Sequence, residues 1–228
     1  MKKWRSDLLN NMNQLKALEF RNAVPEDIND LGLLHQKTFK GSLGASIGID
    51  YSKAFFKWFI CNQSTIALVC CNSKQIIGYV IGAPEGYSKN LTKSTLSKII
   101  FGIAKHPKSL LHPNFATLLK NRITNLFDIK YNLPDSNKFP SSCDEKNSTF
   151  VLVGIGVDPQ FRGNQIGFQI LKEYERLVWE LNYNRIRLTL YKSNIAAIRL
   201  YEKSNWSSIS GVGNKLTYFK QYKDRNGV

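Results

Sequence analysis

The sequence predicts a mixed α/β fold in which helices flank a central sheet. Three observations carry that prediction. Strand-length apolar runs recur along the chain, among them STIALVCC, IIGYVIG and TFVLVGIGV. Between them lie windows with apolar residues at helical spacing, clearest in Ile166, Ile170, Leu171, Tyr174, Leu177, Val178 and Leu181. The two patterns alternate, as a layered domain requires when each element is apolar on one side only. A chain of 228 residues, 43% of them hydrophobic, has the material for one proper core. A single domain over residues 1–228 is expected, with 1–16 as an N-terminal extension and 84–147 as a helical insertion.

Taken in order, residues 1–16 place Trp4, Leu8, Leu9, Met12 and Leu15 on one side of a short helix. ALEFRNA then alternates as a strand. VPEDINDLGLLHQKTF opens a helix with a proline and acids, and sets Ile28, Leu31, Leu34 and His35 at helical spacing. The glycine-rich stretch GSLGASIG reads as a loop entering a helix that carries Phe55, Phe56, Trp58 and Phe59. STIALVCC and IIGYVIGAPEG are two buried strands joined at NSKQ. From Pro84 to Asn147 the pattern changes to short helical pieces, SKIIFGIAKH and FATLLKNRITNLF, and a polar segment, far longer than an ordinary connection. Regularity returns with the strand TFVLVGIGV, a helix, the strand RIRLTLY, the helix NIAAIRLYEKS, and the strands WSSISGVG and KLTYFKQY.

Charge narrows the partners. Lys and Arg number 32 against 17 Asp and Glu, a formal net charge of +15 scattered along the chain. That suits an acidic ligand and disfavours a polycationic one. Nucleic acid is the alternative the charge allows, but no zinc-finger spacing, basic zipper or RNP-like aromatic motif accompanies it. Cys61, Cys70, Cys71 and Cys143 follow no metal-ligand spacing, so no metal is expected. No secretory pattern follows Met1 and no apolar run is long enough to cross a bilayer, so a cytoplasmic protein without a membrane partner is expected.

The most specific stretch is VDPQFRGNQIGFQIL, residues 157–171. A strand ends, Asp158-Pro159 turns the chain, and two glycines precede a new helix. Such a corner aims several backbone N–H groups and a helix N-terminus at one point, where a phosphate can sit. A plain capped turn is the other reading. Downstream stands NIAAIRLYEKSNW. Together the two stretches resemble the acyl-coenzyme A binding core of the GNAT family of N-acetyltransferases. Its first signature, Gln or Arg, two residues, Gly, one residue, Gly or Ala, is matched by Arg162, Gly163, Asn164, Gln165, Ile166 and Gly167, with Gln165 where glycine is usual. Its second, Asn-x-x-Ala-x-x-x-Tyr, is matched by Asn194, Ala197 and Tyr201, with Asn205-Trp206 replacing a following Gly-Phe. The resemblance covers roughly residues 17–84 and 148–222.

It implies a GNAT fold, a central mixed, mostly antiparallel sheet flanked by helices, with splayed fourth and fifth strands and the helical insertion after the third. It also implies acetyl-CoA or another short acyl-CoA as co-substrate, with direct transfer of the acyl group to a primary amine. Backbone amides of Arg162 through Gly167 would cradle the pyrophosphate, Gln165 turning its side chain outward. The strand end at Ile155 to Val157 would pair with the pantetheine arm. Asn194 would steady the pantetheine amides, or cap its helix, and Ala197 would allow close approach. Tyr201 would protonate the departing thiolate. For the base, Glu85, Asp50, Glu26 and His35 stand open, with Glu85 preferred and Glu26 and Asp27 also serving as helix N-terminal acids. The insertion, with ten Lys or Arg against five acids between Pro84 and Lys146, points to an acidic acceptor. The preferred acceptor is a nucleotide-linked (dTDP) amino sugar of surface-polysaccharide synthesis. The alternatives are protein, peptide or aminoglycoside acetylation and, from another class, a non-catalytic acyl-CoA sensor or nucleic-acid binder. A homodimer is compatible with all of these.

Overall fold

The computed structural model describes residues 18–111, 115, 149–210 and 213–222. The expected N-terminal helix of residues 1–16, Cys143, and the helical piece FATLLKNRITNLF apart from Phe115 lie outside the described residues.

Seven strands make one sheet: β1 (Leu18–Asn22), β2 (Ile66–Asn72), β3 (Gln75–Pro84), β4 (Thr149–Val157), β5 (Arg185–Tyr191), β6 (Ser207–Ser210) and β7 (Lys215–Gln221). Their order across the sheet is β1-β2-β3-β4-β5-β7-β6. Every neighbouring pair is antiparallel except β4 and β5. The helices are α1 (Ile28–Thr38), α2 (Leu43–Ile47), α3 (Ile49–Ile60), α4 (Ser88–Lys105), α5 (Ile166–Glu180) and α6 (Ile195–Lys203). The element order matches the sequence reading save for α2. There Ser42 Oγ accepts the Ala45 amide, and that cap turns part of the expected loop into a short helix.

Side-chain alternation splits the central strands between two cores. Ile77 and Val80 of β3 join Phe150 and Leu152 of β4 under α5, with Ile170, Leu171, Tyr174 and Val178. Tyr79, Ile81 and Ala83 face the other way, against Leu31 and Leu34 of α1 and Phe56 and Phe59 of α3. Strands buried on both faces read as continuous apolar runs, which is why STIALVCC shows no alternation. A third, smaller cluster of Ile47, Tyr51 and Ile99, with Ile103 packed against it, joins α4 to α2 and α3. The first described element of the expected insertion is therefore packed onto the domain.

The only parallel pair among the described strands is also the shortest-paired for its length. β4 and β5 share rungs at Thr149↔Arg185, Phe150↔Ile186 and Val151↔Arg187, and then part. The cause sits on the opposite edge of β4. Ile81 pairs with Gly154 while the next residue, Gly82, pairs with Leu152, so Val153 is an extra residue bulged out of the ladder. A bulge bends its strand and sharpens its twist, and here it falls immediately after the last β4–β5 rung. The result is a V-shaped gap between Leu152–Val157 and Leu188–Tyr191.

Candidate active site

The open end of the gap is floored by the corner predicted from sequence. Asp158 leaves β4 with its N–H donating to Ile77 O at 2.8 Å, and Pro159–Phe161 makes a single 3-10 turn that Asp158 caps through Gln160 N at 3.0 Å. Gly163 then takes φ +86° and Gln165 φ +59°, both in the left-handed region that glycine adopts freely and other residues rarely. Gln165 lies exposed, its side chain in solvent as expected, and α5 starts at the next residue. Among the described residues no acceptor meets the amides of Gly163 through Phe168; the first helical bond is Gln169 N to Gln165 O at 3.0 Å. Several N–H groups at the positive end of a four-turn helix are thus without a partner among the described residues. Such an arrangement can hold an oxyanion.

The two sequence signatures meet here. A Cβ on Gly167 would touch Val157 Cγ2 at 3.7 Å and Leu200 Cδ2 at 3.8 Å, so the start of α5, the end of β4 and the middle of α6 are in contact. Ile155 and Val157 turn their side chains toward the α5 core, while their backbone edge toward β5 has no strand partner among the described residues. Ile166 is buried and contributes only its amide to the corner. Asn164 Nδ2 folds back onto Phe161 O at 3.3 Å. Asn194 caps α6, its Oδ1 accepting Ala197 N at 3.2 Å, which leaves the amide NH₂ free to donate.

Tyr201 is 3% exposed and sits among Trp206 (ring centroids 5.3 Å) and Tyr218 (5.8 Å). Burial raises its pKa well above that of a free phenol. Its hydroxyl has no hydrogen-bond partner among the described residues, yet it is not one of the sealed, partnerless polar atoms. The sliver of surface left to this residue therefore includes the oxygen. A neutral phenol with its O–H unspent can only give a proton at neutral pH.

Four candidate bases part company. Glu85 follows β3, donates its amide to Thr149 O at 3.1 Å, and pairs through Oε1 with Arg187 Nη2 at 2.5 Å. Arg187 is the last β5 rung, so this ion pair marks the point where the strands separate. His35 lies on the α1 face, where its Nδ1 and the Tyr79 hydroxyl are 2.8 Å apart and Phe39, Phe55 and Phe56 surround the ring. Burial pushes the imidazole down to about 4, so it is neutral at physiological pH. Tyr79 in turn lies under β4, for a Cβ on Gly156 would come within 2.7 Å of its ring. Asp50 stands 3.8 Å from Lys105 at the base of α3, and Glu26 is exposed ahead of α1. Neither reaches the gap through any bond described. Asp27, beside Glu26, is buried and holds Arg21 through two bonds of 2.6 and 2.9 Å.

Two residues that the sequence reading passed over tie α1 to the corner. Asp158 is 3% exposed, and its Oδ2 accepts Lys37 Nζ at 2.8 Å. Burial raises the carboxyl's pKa, but the Lys37 and Gln160 hydrogen bonds outweigh it and hold the group below the ordinary range. Arg162 adds a second tie, donating Nε to Val157 O at 3.2 Å and Nη2 to Thr38 O at 3.3 Å. The Asp-Pro turn was the one local signal for the first of these. The partner Lys37 had none. Among the described residues no group of His, Cys, Asp and Glu could hold a metal ion.

A family model described as Acetyltransferase (GNAT) family matches residues 131–206 of the chain. No curated protein sequence matches it. Solved structures do. The structure named SsHAT superposes with a TM-score of 0.62 at 14% identity, covering 91% of this chain and 100% of that one. PaiA N-acetyltransferase from Thermoplasma acidophilum, in complex with coenzyme A, gives 0.52 at 12% identity, covering 90% and 99%. An N-acetyltransferase from Staphylococcus aureus gives 0.54 at 16% identity, covering 90% and 99%. The chain thus shares the fold of these N-acetyltransferase structures, and over residues 131–206 it is similar to the GNAT family.

Proposed function

We propose that this protein moves an acetyl or other short acyl group from acyl-CoA to a primary amine by direct attack. The observation that carries the reading is the gap itself: an unpaired β4 edge ending at a cluster of unspent amides. A thioester on an extended arm with a pyrophosphate at its far end complements both. The arm adds to the free edge of Leu152–Val157 as a further strand. The amides of Arg162 through Gly167 receive the pyrophosphate, and the free NH₂ of Asn194, steadied by its cap, meets an arm carbonyl from the α6 side.

Chemistry then falls to the closed part of the V. The amine attacks the thioester carbon, and the tetrahedral intermediate collapses with the thiolate as leaving group. Tyr201 gives that sulfur its proton, which the unpartnered hydroxyl and neutral phenol support. Glu85 is the base we assign, as the carboxylate held by Arg187 where the strands part.

For the acceptor we retain the amine of an anionic nucleotide-linked amino sugar. Its support is the net charge of +15, which attracts such a molecule and repels polycations. The test is release of free thiol from acetyl-CoA over a panel of amines: dTDP-linked amino sugars, aminoglycosides and lysine peptides. Release with one sugar alone establishes acceptor class and reaction together. Thermal stabilisation by coenzyme A without release from any amine would keep the coenzyme site and reject the transfer reaction.

A further inference from the structure

A second recess lies outside the acyl-transfer cleft, in the groove between α3 and α4. It has a volume of about 650 Å³ and is lined by Lys57, Trp58, Cys61, Asn62, Gln63, Ser94 and Lys98, with Ala54 at its floor. None of these residues belongs to the phosphate corner or to the β4–β5 gap. The size falls within the range of small-molecule sites.

The lining is one-sided in its chemistry. It carries two ammonium groups and no carboxylate, and neither Lys57 nor Lys98 has an ion-pair partner among the described residues. Trp58 Nε1 likewise has no acceptor among them. Asn62 spends its oxygen locally, Oδ1 accepting Ser64 N at 3.1 Å and Ser64 Oγ at 2.8 Å, so its NH₂ is the end left to a ligand. Ser94 supplies a hydroxyl. A concave surface offering donors and positive charge complements a ligand made of acceptors with negative charge, which is an oxyanion. Trp58, half-buried and fixed edge-on against Phe59 at 4.8 Å, adds a rigid aromatic wall on which a flat ring can lie.

We infer that the α3–α4 groove is a second binding site, separate from the acyl-transfer cleft, for a small phosphorylated ligand with a planar ring, that is, a nucleotide. The inference is independent of the function proposed above. It has a structural consequence as well. Lys57 and Trp58 belong to α3 and Ser94 and Lys98 to α4, so a ligand in the groove bridges the two helices that, through Ile99 and Tyr51, hold α2 in place.

Cys61 makes the site directly measurable, since it is exposed at the groove whereas Cys70 and Cys71 are buried. The experiment follows alkylation of the Cys61 peptide by mass spectrometry with ADP or tripolyphosphate as probe, with and without acetyl-CoA. ADP at ten times its dissociation constant is expected to slow alkylation on the order of tenfold, with or without acetyl-CoA. The double variant Lys57→Glu, Lys98→Glu should weaken that protection by more than about tenfold, while the single reversal Lys74→Glu in the β2–β3 turn leaves it intact. Trp58→Leu should weaken ADP and spare tripolyphosphate. An unchanged circular-dichroism melt certifies that each variant is folded.

Four outcomes would overturn the inference: no protection by ADP at millimolar concentration, protection abolished by acetyl-CoA, protection that survives the double charge reversal, or protection matched by simple salt. A single-stranded oligonucleotide protecting far better than ADP would reassign the groove to nucleic acid and overturn it too.

Discussion

At Gly163–Gly167 the polar groups are backbone amides that meet no acceptor among the described residues. In the core under α1 and α3, around His35, Tyr79 and Phe55, they are side chains already bonded to or stacked on one another. The difference is between two ways of recognising a partner. A pyrophosphate is the same in every turnover, and backbone recognises it whatever side chains surround the loop, provided φ can go positive. An acceptor is recognised by shape, and a wall of interlocked side chains gives a specific shape at the cost of being sensitive to every substitution.

The sharpest way to break this contrast is to strike the wall from the strand. In Gly156→Val the first added carbon would lie 2.7 Å from the Tyr79 ring, and stability should fall by about 3 kcal/mol, read from the denaturant midpoint. An unchanged midpoint would mean that Tyr79 is free to move and the wall is soft.

Next in size is an acid limb that belongs to the wall alone. The folded-state pKa of His35, about 4, lies below the ordinary value of 6.5, so protons bind preferentially to the unfolded chain. The stability this group contributes is complete above pH 6.5 and is lost as pH falls toward 4, by at most about 3 kcal/mol. His35→Gln should flatten that limb of the stability profile. If the slope persists in the variant, another group carries it.

Tyr201→Phe tests the proposed acid. It should lower kcat on the order of a hundredfold while leaving the dissociation constant of coenzyme A nearly unchanged. Equal kcat would remove the phenol from the chemistry. The smallest effect is expected at the corner. Gln165→Gly relieves a left-handed residue at φ +59° and should raise the stability by roughly 0.5–1 kcal/mol, with coenzyme affinity preserved. A large loss of affinity would show that the Gln165 side chain, and not its backbone, serves the site.

Much of this architecture is written locally. The corner is a run of consecutive residues whose turn, glycines and helix start are neighbours in sequence, so VDPQFRGNQIG reveals it without a fold. The cap role of Asn194 is equally local, and the structure shows it alongside the free amide that binding would use. The wall is different. His35 reads as a residue on a helix face and as one open candidate for the base, and nothing near it in sequence announces Tyr79. Asp158 read as a turn residue, because its partner Lys37 lies on the other half of the chain. Glu85 was chosen for its place after a strand, and the Arg187 that holds it could not be seen from RIRLTLY, where it is one of two alternating arginines.

The sequence by itself determined the order of strands and helices, the phosphate-type corner and the positions that match the two signatures. These depend on periodicity, turn chemistry and spacing within a dozen residues or so. Tertiary structure alone decided where β4 leaves β5, because the bulge at Val153 is defined by its register against β3. It also decided which charges and hydroxyls meet: His35 with Tyr79, Glu85 with Arg187 and Lys37 with Asp158 are 44, 102 and 121 residues apart. The physical reason is one of range. A hydrogen bond or ion pair acts over a few ångströms, and only the folded sheet brings residues so distant in the chain within that reach.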